Sequence, residues 1–375
     1  MIPFVYLSIS NMTMNEKKNK LTLLVDGNWL LISRASVLMN NFNKNLPEEA
    51  KKQSQSELED LLAKSICVTL SRIPTIDNII IMADGGSWRK QLLVPKSIEG
   101  TTYKGNRTQA NEINWNYIYN ALNNLIERAR EEGITVTQYN NIEGDDWTWY
   151  WSRRLNSDGI NCLIWSSDND LKQLIQIDDE TKAFTAWYND KNGIWMPNSI
   201  KESDDTMDFF MNQSYYSPVL EALKSKITKQ NYINPADIVM SKIICGDAGD
   251  NILPIMRYQK GDRNYRITEK DWISIKENFP DINNVEEFLE HRNGIALLIS
   301  QHKKFKTYKP DIFELEEMFD YNTKLVWLNE KVIPDTIIQF MNQQEYKKFD
   351  VGYLRSNYKV LVKTDDMIQN LFEGI

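Results

Sequence analysis

Four stretches of the chain are apolar or β-branched runs: Leu21 to Val25, Asn78 to Met82, Ile134 to Tyr139, and Ile160 to Trp165. Runs of this length and composition predict buried strands. Between them the apolar positions recur every three or four residues. That spacing predicts helices over Asn28 to Met39, Glu57 to Arg72 and Ile113 to Glu132, the last stopped by Gly133, with Asp146 to Leu155 filling the next gap. Strands alternating with helices imply an α/β fold, a central mainly parallel sheet flanked by helices and joined by right-handed crossovers.

After Leu171 the pattern is irregular. Two strand-like pieces, Ala183 to Tyr188 and Gly193 to Met196, precede an acidic stretch around Asp204 to Asp208, and residues 178–234 read as an insertion. From Pro235 the chain reads as mainly helical, with basic clusters at Arg257 to Arg266 and Lys303 to Lys309. The expected division is a tail over 1–20, a core over 21–255 and a helical region over 256–375. Residues before about Lys20 are expected to be dispensable, with Met14 as an alternative start.

Composition narrows the chemistry. With 52 acidic and 44 basic residues the net charge is −8, which excludes a generic nucleic-acid coat and makes any such contact local. Cys67, Cys162 and Cys245 are far apart in apolar surroundings and read as buried thiols, with no zinc spacing. His291 and His302 lie away from any Ser or Cys nucleophile motif, so a histidine triad is not expected. The opening MIPFVYLSIS lacks a basic n-region and a cleavage site, and no run of about 18 apolar residues exists; a cytoplasmic location is expected.

The carboxyl end of every strand is acidic. Asp26 comes after the first, Asp84 after the second, Glu143, Asp145 and Asp146 after the third, and Asp168 and Asp170 after the fourth. In an open parallel sheet the carboxyl ends of the strands line the ligand crevice, so these acids should converge. Asp247 and Asp250, in ICGDAGDN, come after a later apolar helical segment. A single Asp after a strand is usually a cap or turn residue. Four successive acidic strand ends are not explained that way. Crowded carboxylates repel unless cations sit among them, and an oxygen-only donor set selects Mg²⁺ or Mn²⁺. Two such ions roughly 4 Å apart can activate a water and stabilise a leaving oxygen at a phosphodiester.

The blocks VDGNW, MADGGSWRK, TYKGNR, IEGDD, SSDNDL and GDAGDN resemble, in order, those of the 5′-nuclease superfamily of flap endonucleases and 5′→3′ exonucleases, and within it the ribonuclease H type of T-even bacteriophages. The resemblance spans residues 21 to about 255. It implies that Asp26, Asp84, Glu143, Asp145 and Asp168 surround one metal ion and that Asp170, Asp247 and Asp250 surround a second, with Asp146 close by. It also implies an arch over 85–112, in which Arg89, Tyr103, Lys104 and Arg107 meet nucleic acid. Lys104 and Arg107 would contact the scissile phosphate, and their spacing puts them on one face if that stretch is helical.

The chain departs from the family where a Gly-Ile-Gly hairpin usually grips the duplex. Here Arg257, Lys260, Arg263, Arg266 and Lys270 could hold phosphates by charge alone. The implied activity is removal of 5′ ends, flaps or RNA primers from branched or nicked DNA and RNA/DNA hybrid in phage-type replication. Two Mg²⁺ ions would serve as cofactor, with Mn²⁺ substituting, and the protein would be a monomer with a sliding clamp or single-strand-binding protein as partner. Met367, Ile368, Leu371 and Phe372 form an apolar stripe that suits core packing first and clamp docking second. A PIN-type RNA endonuclease and a catalytically silent DNA-structure binder remain alternatives. A haloacid-dehalogenase-type phosphatase would need Asp where Asn28 stands. Trp147, Tyr150 and Trp151 share one helical face and read as core, while Trp149 is open to base stacking.

Overall fold

The computed structural model describes residues 20–107, 110–200, 217–260, 262–305, 308 and 311–362. The expected N-terminal tail and the C-terminal apolar stripe therefore lie outside the described residues. The chain forms two compact units, one of residues 1–86, 109–232 and 340–375, the other of 87–108 and 233–339.

In the first unit the chain runs β1 (Leu21–Asp26), α1 (Gly27–Leu38), α2 (Glu48–Arg72), β2 (Asn78–Met82), α3 (Trp115–Glu131), β3 (Thr135–Thr137), α4 (Gly144–Ser157) and β4 (Asn161–Trp165). It continues through β5 (Gln176–Ile177), β6 (Phe184–Asn189), β7 (Gly193–Pro197), α5 (Pro218–Lys226) and β8 (Gln230–Ile233). The sheet order is β3-β2-β1-β4-β6-β7-β8, with β5 beside β6. Strands β1, β2, β3, β4 and β6 pair in parallel, and β7 is antiparallel to β6. The mainly parallel α/β expectation holds. The described part of the stretch read as an insertion supplies β6, β7 and β8, which extend the sheet past β4.

Burial on both faces explains the unbroken apolar strands. Leu21, Leu23, Val25, Ile79, Ile81, Leu163 and Trp165 join one core with the apolar faces of α1, α2 and α3. Helix α4 packs on β1, β2 and β4, and its Trp147, Trp149, Tyr150 and Trp151 are all buried. Trp149, the candidate for base stacking, is thus an interior side chain. Residues 340–362 return to this unit. The Tyr346 hydroxyl lies 3.1 Å from that of Thr22, and the Asn78 amide donates to the Lys347 carbonyl at 3.0 Å. The thiol of Cys162 is fully buried and burial pushes its pKa up.

The second unit comprises α6 (Pro235–Cys245), the antiparallel pair β9 (Arg257–Lys260) and β10 (Arg263–Arg266), α7 (Glu269–Lys276), α8 (Val285–Glu290), α9 (Arg292–Gln301), α10 (Ile312–Val326) and α11 (Asp335–Met341). Its core joins Met240, Ile243, Trp272, Phe288, Ile299 and Phe319 to Ile98 and Tyr103 of the segment between β2 and α3.

Fully buried Asn322 of α10 clamps this unit. Its amide donates to the carbonyls of Ile243 and Leu253, each at 2.8 Å, on either side of the GDAGDN loop. Asn322→Leu should leave two carbonyls without their donor and cost about 1–3 kcal/mol. Urea unfolding would register this as a lower midpoint with an unchanged slope.

Candidate active site

The register of the parallel strands decides where the first unit's acids fall. Val25 lies opposite Ile81 and Trp165, and Asp26 opposite Met82. Asp26, Asp84 and Asp168 therefore leave the same edge of three adjacent strands. Asp26 caps α1: its Oδ1 accepts the Trp29 N–H at 2.9 Å, and its Oδ2 accepts the Ser166 hydroxyl at 2.7 Å. Gly27 makes that tight turn feasible, because a Cβ there would lie 2.7 Å from the Met82 carbonyl oxygen.

Burial pushes the Asp26 carboxyl up to about 7, against the Trp29 and Ser166 hydrogen bonds that hold it down. The charges of Asp84 and Asp168 push it the same way.

The neighbours of these acids orient them. Asp84 donates its N–H to Asn28 Oδ1 at 2.9 Å, and its Oδ1 accepts the Gly144 N–H at 2.7 Å. A Cβ at Gly144 would sit 3.2 Å from that oxygen, so the glycine lets α4 start against the carboxylate. Ser166 Oγ also accepts the Asp168 N–H at 2.9 Å, tying the end of β4 to Asp26. Asp168 Oδ1 accepts the Asp170 N–H at 2.9 Å.

Sequence reasoning missed Ser166 and Asn28, although both stand inside the motifs SSDNDL and VDGNW. It also missed Lys172. This buried lysine lies over the rings of Trp187 (4.4 Å) and Trp195 (3.6 Å), and desolvation lowers its pKa. The Trp187 indole in turn donates to the Asp168 carbonyl at 3.1 Å.

Two of the expected ligands also have a local structural part. Asp146, expected near a metal ion, is fully buried and accepts the Glu143 N–H at 3.3 Å as half of the capping box that starts α4. Glu143 is the other half and is also buried. Capping thus fixes where both carboxylates sit at the start of α4. Asp145 lies in the first turn of α4 and is partly exposed.

Among the described residues, no three Asp, Glu, His or Cys side chains are gathered closely enough to hold an ion as they stand. Each hydrogen bond above uses one lone pair of its carboxylate oxygen and fixes that oxygen's direction, leaving Asp26, Asp84 and Asp168 further lone pairs for a cation. The donor chemistry fits a hard divalent cation, since the field at Asp26 is one that a cation relieves.

That fit makes a pH prediction. With a folded pKa near 7 against an ordinary value of 3.8, folded Asp26 holds a proton that the unfolded chain releases. The metal-free protein should therefore lose stability as pH rises from about 4 to about 7. Mg²⁺ should raise the thermal midpoint more at pH 8 than at pH 5, and Asp26→Asn should flatten this dependence. Melting curves with Mg²⁺ and with EDTA at both pH values check it.

The second unit holds Asp247 and Asp250. Burial opposes ionisation of Asp247, but its ion pair with Lys242 and the Gly249 N–H outweigh it and lower its pKa. Asp250 pairs with Arg107, lies 3.8 Å from Lys104 Nζ, and accepts the Tyr103 hydroxyl at 3.2 Å. Lys104 and Arg107 do converge, but through a turn and not a helix. Lys104 has a positive φ of 57°, and its N–H donates to the Asp250 carbonyl at 2.8 Å.

Two further candidates are mostly interior. Arg89 is buried at 2% exposure and stacks on Trp88 at 4.5 Å, and the Tyr103 ring packs in the core while its hydroxyl reaches Asp250. Arg257, Lys260, Arg263 and Arg266 are exposed on β9 and β10, and Lys270 is exposed on α7.

No family model and no curated protein matches the chain. Solved structures do. A phage T5 protein co-crystallised with metal ions is similar, with a TM-score of 0.52 and 17% identity over 86% of this chain and 97% of that one. The phage T5 flap endonuclease, in a pseudo-enzyme-product complex with DNA and metal ions, gives 0.52 and 17% over 90% and 100%. At this identity the likeness is one of fold, and the chain has the fold of those 5′-nuclease structures.

Proposed function

We propose that the chain is a divalent-metal-dependent 5′-nuclease, a flap endonuclease and 5′→3′ exonuclease that hydrolyses phosphodiester bonds near 5′ ends. The observation that carries this reading is the convergence of Asp26, Asp84 and Asp168 at the aligned ends of β1, β2 and β4. The shared fold supports it.

Asp26, Asp84 and Asp168 are the residues that would hold a cation, Mg²⁺ or Mn²⁺, with Ser166 and the Gly144 N–H orienting their carboxylates. A bound divalent cation supplies activation of water and stabilisation of charge on the phosphodiester, and a pair of ions is the finer form of the proposal. Lys104 and Arg107 already hold an anion, the Asp250 carboxylate. A substrate phosphate offers them the same charge and a better hydrogen-bonding fork. The proposed biological role is removal of RNA primers in phage-type DNA replication, by a monomer assisted by a clamp or single-strand-binding protein.

The test is cleavage of 5′-labelled flap, nicked and RNA/DNA hybrid substrates in Mg²⁺. Cutting near the 5′ end of each supports the full reading. Cutting of single-stranded RNA alone would favour the PIN-type alternative, and binding without cutting the silent one.

A further inference from the structure

The β9–β10 pair is poorly explained as a structural hairpin. Its register sets Arg257 opposite Arg266 and Lys260 opposite Arg263, two like-charged cross-strand pairs, all four side chains exposed. Directly opposed like charges destabilise a ladder unless an anion lies between them. The two pairs fall on opposite faces, because side chains alternate along a strand. Tyr258 and Tyr265 are also cross-strand partners, on the same face as Lys260 and Arg263.

On that face the aromatic rings form a column. Tyr258 stacks on Tyr265 at 4.7 Å with an interplanar angle of 7°, and on Tyr308 at 5.0 Å and 3°. The Tyr258 hydroxyl donates to the Lys304 carbonyl at 3.4 Å, fixing the middle ring. Both faces of Tyr258 are taken, so only the end rings can receive another. Tyr308 is 39% exposed and lines an open cavity of about 100 Å³ with the apolar Ile98, Met256 and Leu315 and the oppositely charged Arg257 and Glu314. A cavity of this size is too small to enclose most ligands, whose sites run to roughly 300 Å³ and more, but it is open, so a ring can lie against Tyr308 without being enclosed.

We infer that this face binds a single strand of nucleic acid: an unpaired base enters the cavity and extends the tyrosine column at Tyr308, while Lys260 and Arg263 hold the strand's phosphates. The inference deepens the nuclease reading by naming the unpaired strand of its substrate as the ligand, and it rests on nucleic acid being that substrate. Stacking on aromatic rings tolerates any base, and flanking cations track the backbone. That division of labour makes the two contributions separable.

The experiment uses the full chain in EDTA, so that no strand is cut. Fluorescence anisotropy measures its binding to a short labelled oligothymidylate and to an abasic oligomer of equal length and charge. The wild type should prefer the base-bearing strand by about 5- to 100-fold. Tyr308→Ala should erase that preference and Tyr308→Phe should keep it. Tyr308→Leu, which fills the space without a ring, should also erase it and serves if the alanine variant does not fold. Lys260→Gln with Arg263→Gln should weaken both oligomers alike and flatten the salt dependence.

Equal binding of the two oligomers by the wild type overturns the inference, as does a preference that survives in a folded Tyr308→Ala or Tyr308→Leu protein. Cleavage of a flap substrate in Mg²⁺ separates this result from the nuclease reading. A wild type that cuts without base preference removes only the inference. A wild type that shows the preference but never cuts removes only the nuclease reading.

Discussion

Asp84→Asn is expected to reduce cleavage of a 5′-flap substrate by more than about 100-fold while leaving DNA affinity level or higher. The loss is on the scale of one preorganised electrostatic contact at a reacting centre. Asn keeps the shape and the hydrogen bond from Gly144, so the start of α4 should survive. What changes is the charge that Asp26 and a cation both feel. Removing it also removes repulsion towards phosphates, which is why affinity should not fall. Asp168→Asn should behave alike, since its backbone contacts with Ser166 and Trp187 do not need the charge. Single-turnover rates in Mg²⁺, with affinities measured in Ca²⁺ to suppress cutting, check both halves.

Lys104→Ala is expected to slow cleavage by about 100-fold with only a modest fall in affinity, because a donor aimed at developing charge acts mainly on the rate. Lys104 sits in a positive-φ turn beside Asp250 and over the Tyr103 ring at 4.9 Å. Its ammonium is placed by the backbone and by packing as much as by its own rotamer. Lys104→Arg should therefore not restore the rate fully, since a longer planar group does not fit the same placement. Rate against substrate concentration for the three proteins tests this: kcat should drop and KM stay within a few-fold.

The strand ends were legible because continuous burial leaves a strong signal: Asn78–Met82 matches its expected bounds, and the other strands differ by a residue or a few. The acids were legible because each comes directly after such a run. Other features were not, for local reasons. Asp145 and Asp146 are identical in type, and only the capping geometry makes the second a buried cap. Lys104 and Arg107 have helical spacing, but Gly105 between them belongs to a turn closed by the Thr102 carbonyl.

Long-range pairing was the other blind spot. Segment 340–362 carries little periodicity, yet its Tyr346, Lys347 and Arg355 bond to residues far back in the chain, including Thr22, Asn78 and Leu70. The strand character of β6 and β7 was legible at Ala183 to Tyr188 and Gly193 to Met196, but their place in the sheet, and β8 altogether, are set by pairing across the sheet.

The most direct measurement is cleavage of a 5′-labelled flap by the wild type and by Asp84→Asn, side by side, in Mg²⁺ and in EDTA. The expected result is cutting near the 5′ end by the wild type in Mg²⁺ alone, with a 5′-phosphate on the product and no cutting by the variant. Wild-type cutting in EDTA, or an Asp84→Asn protein that cuts at the wild-type rate, would contradict a metal-dependent site at the ends of β1, β2 and β4.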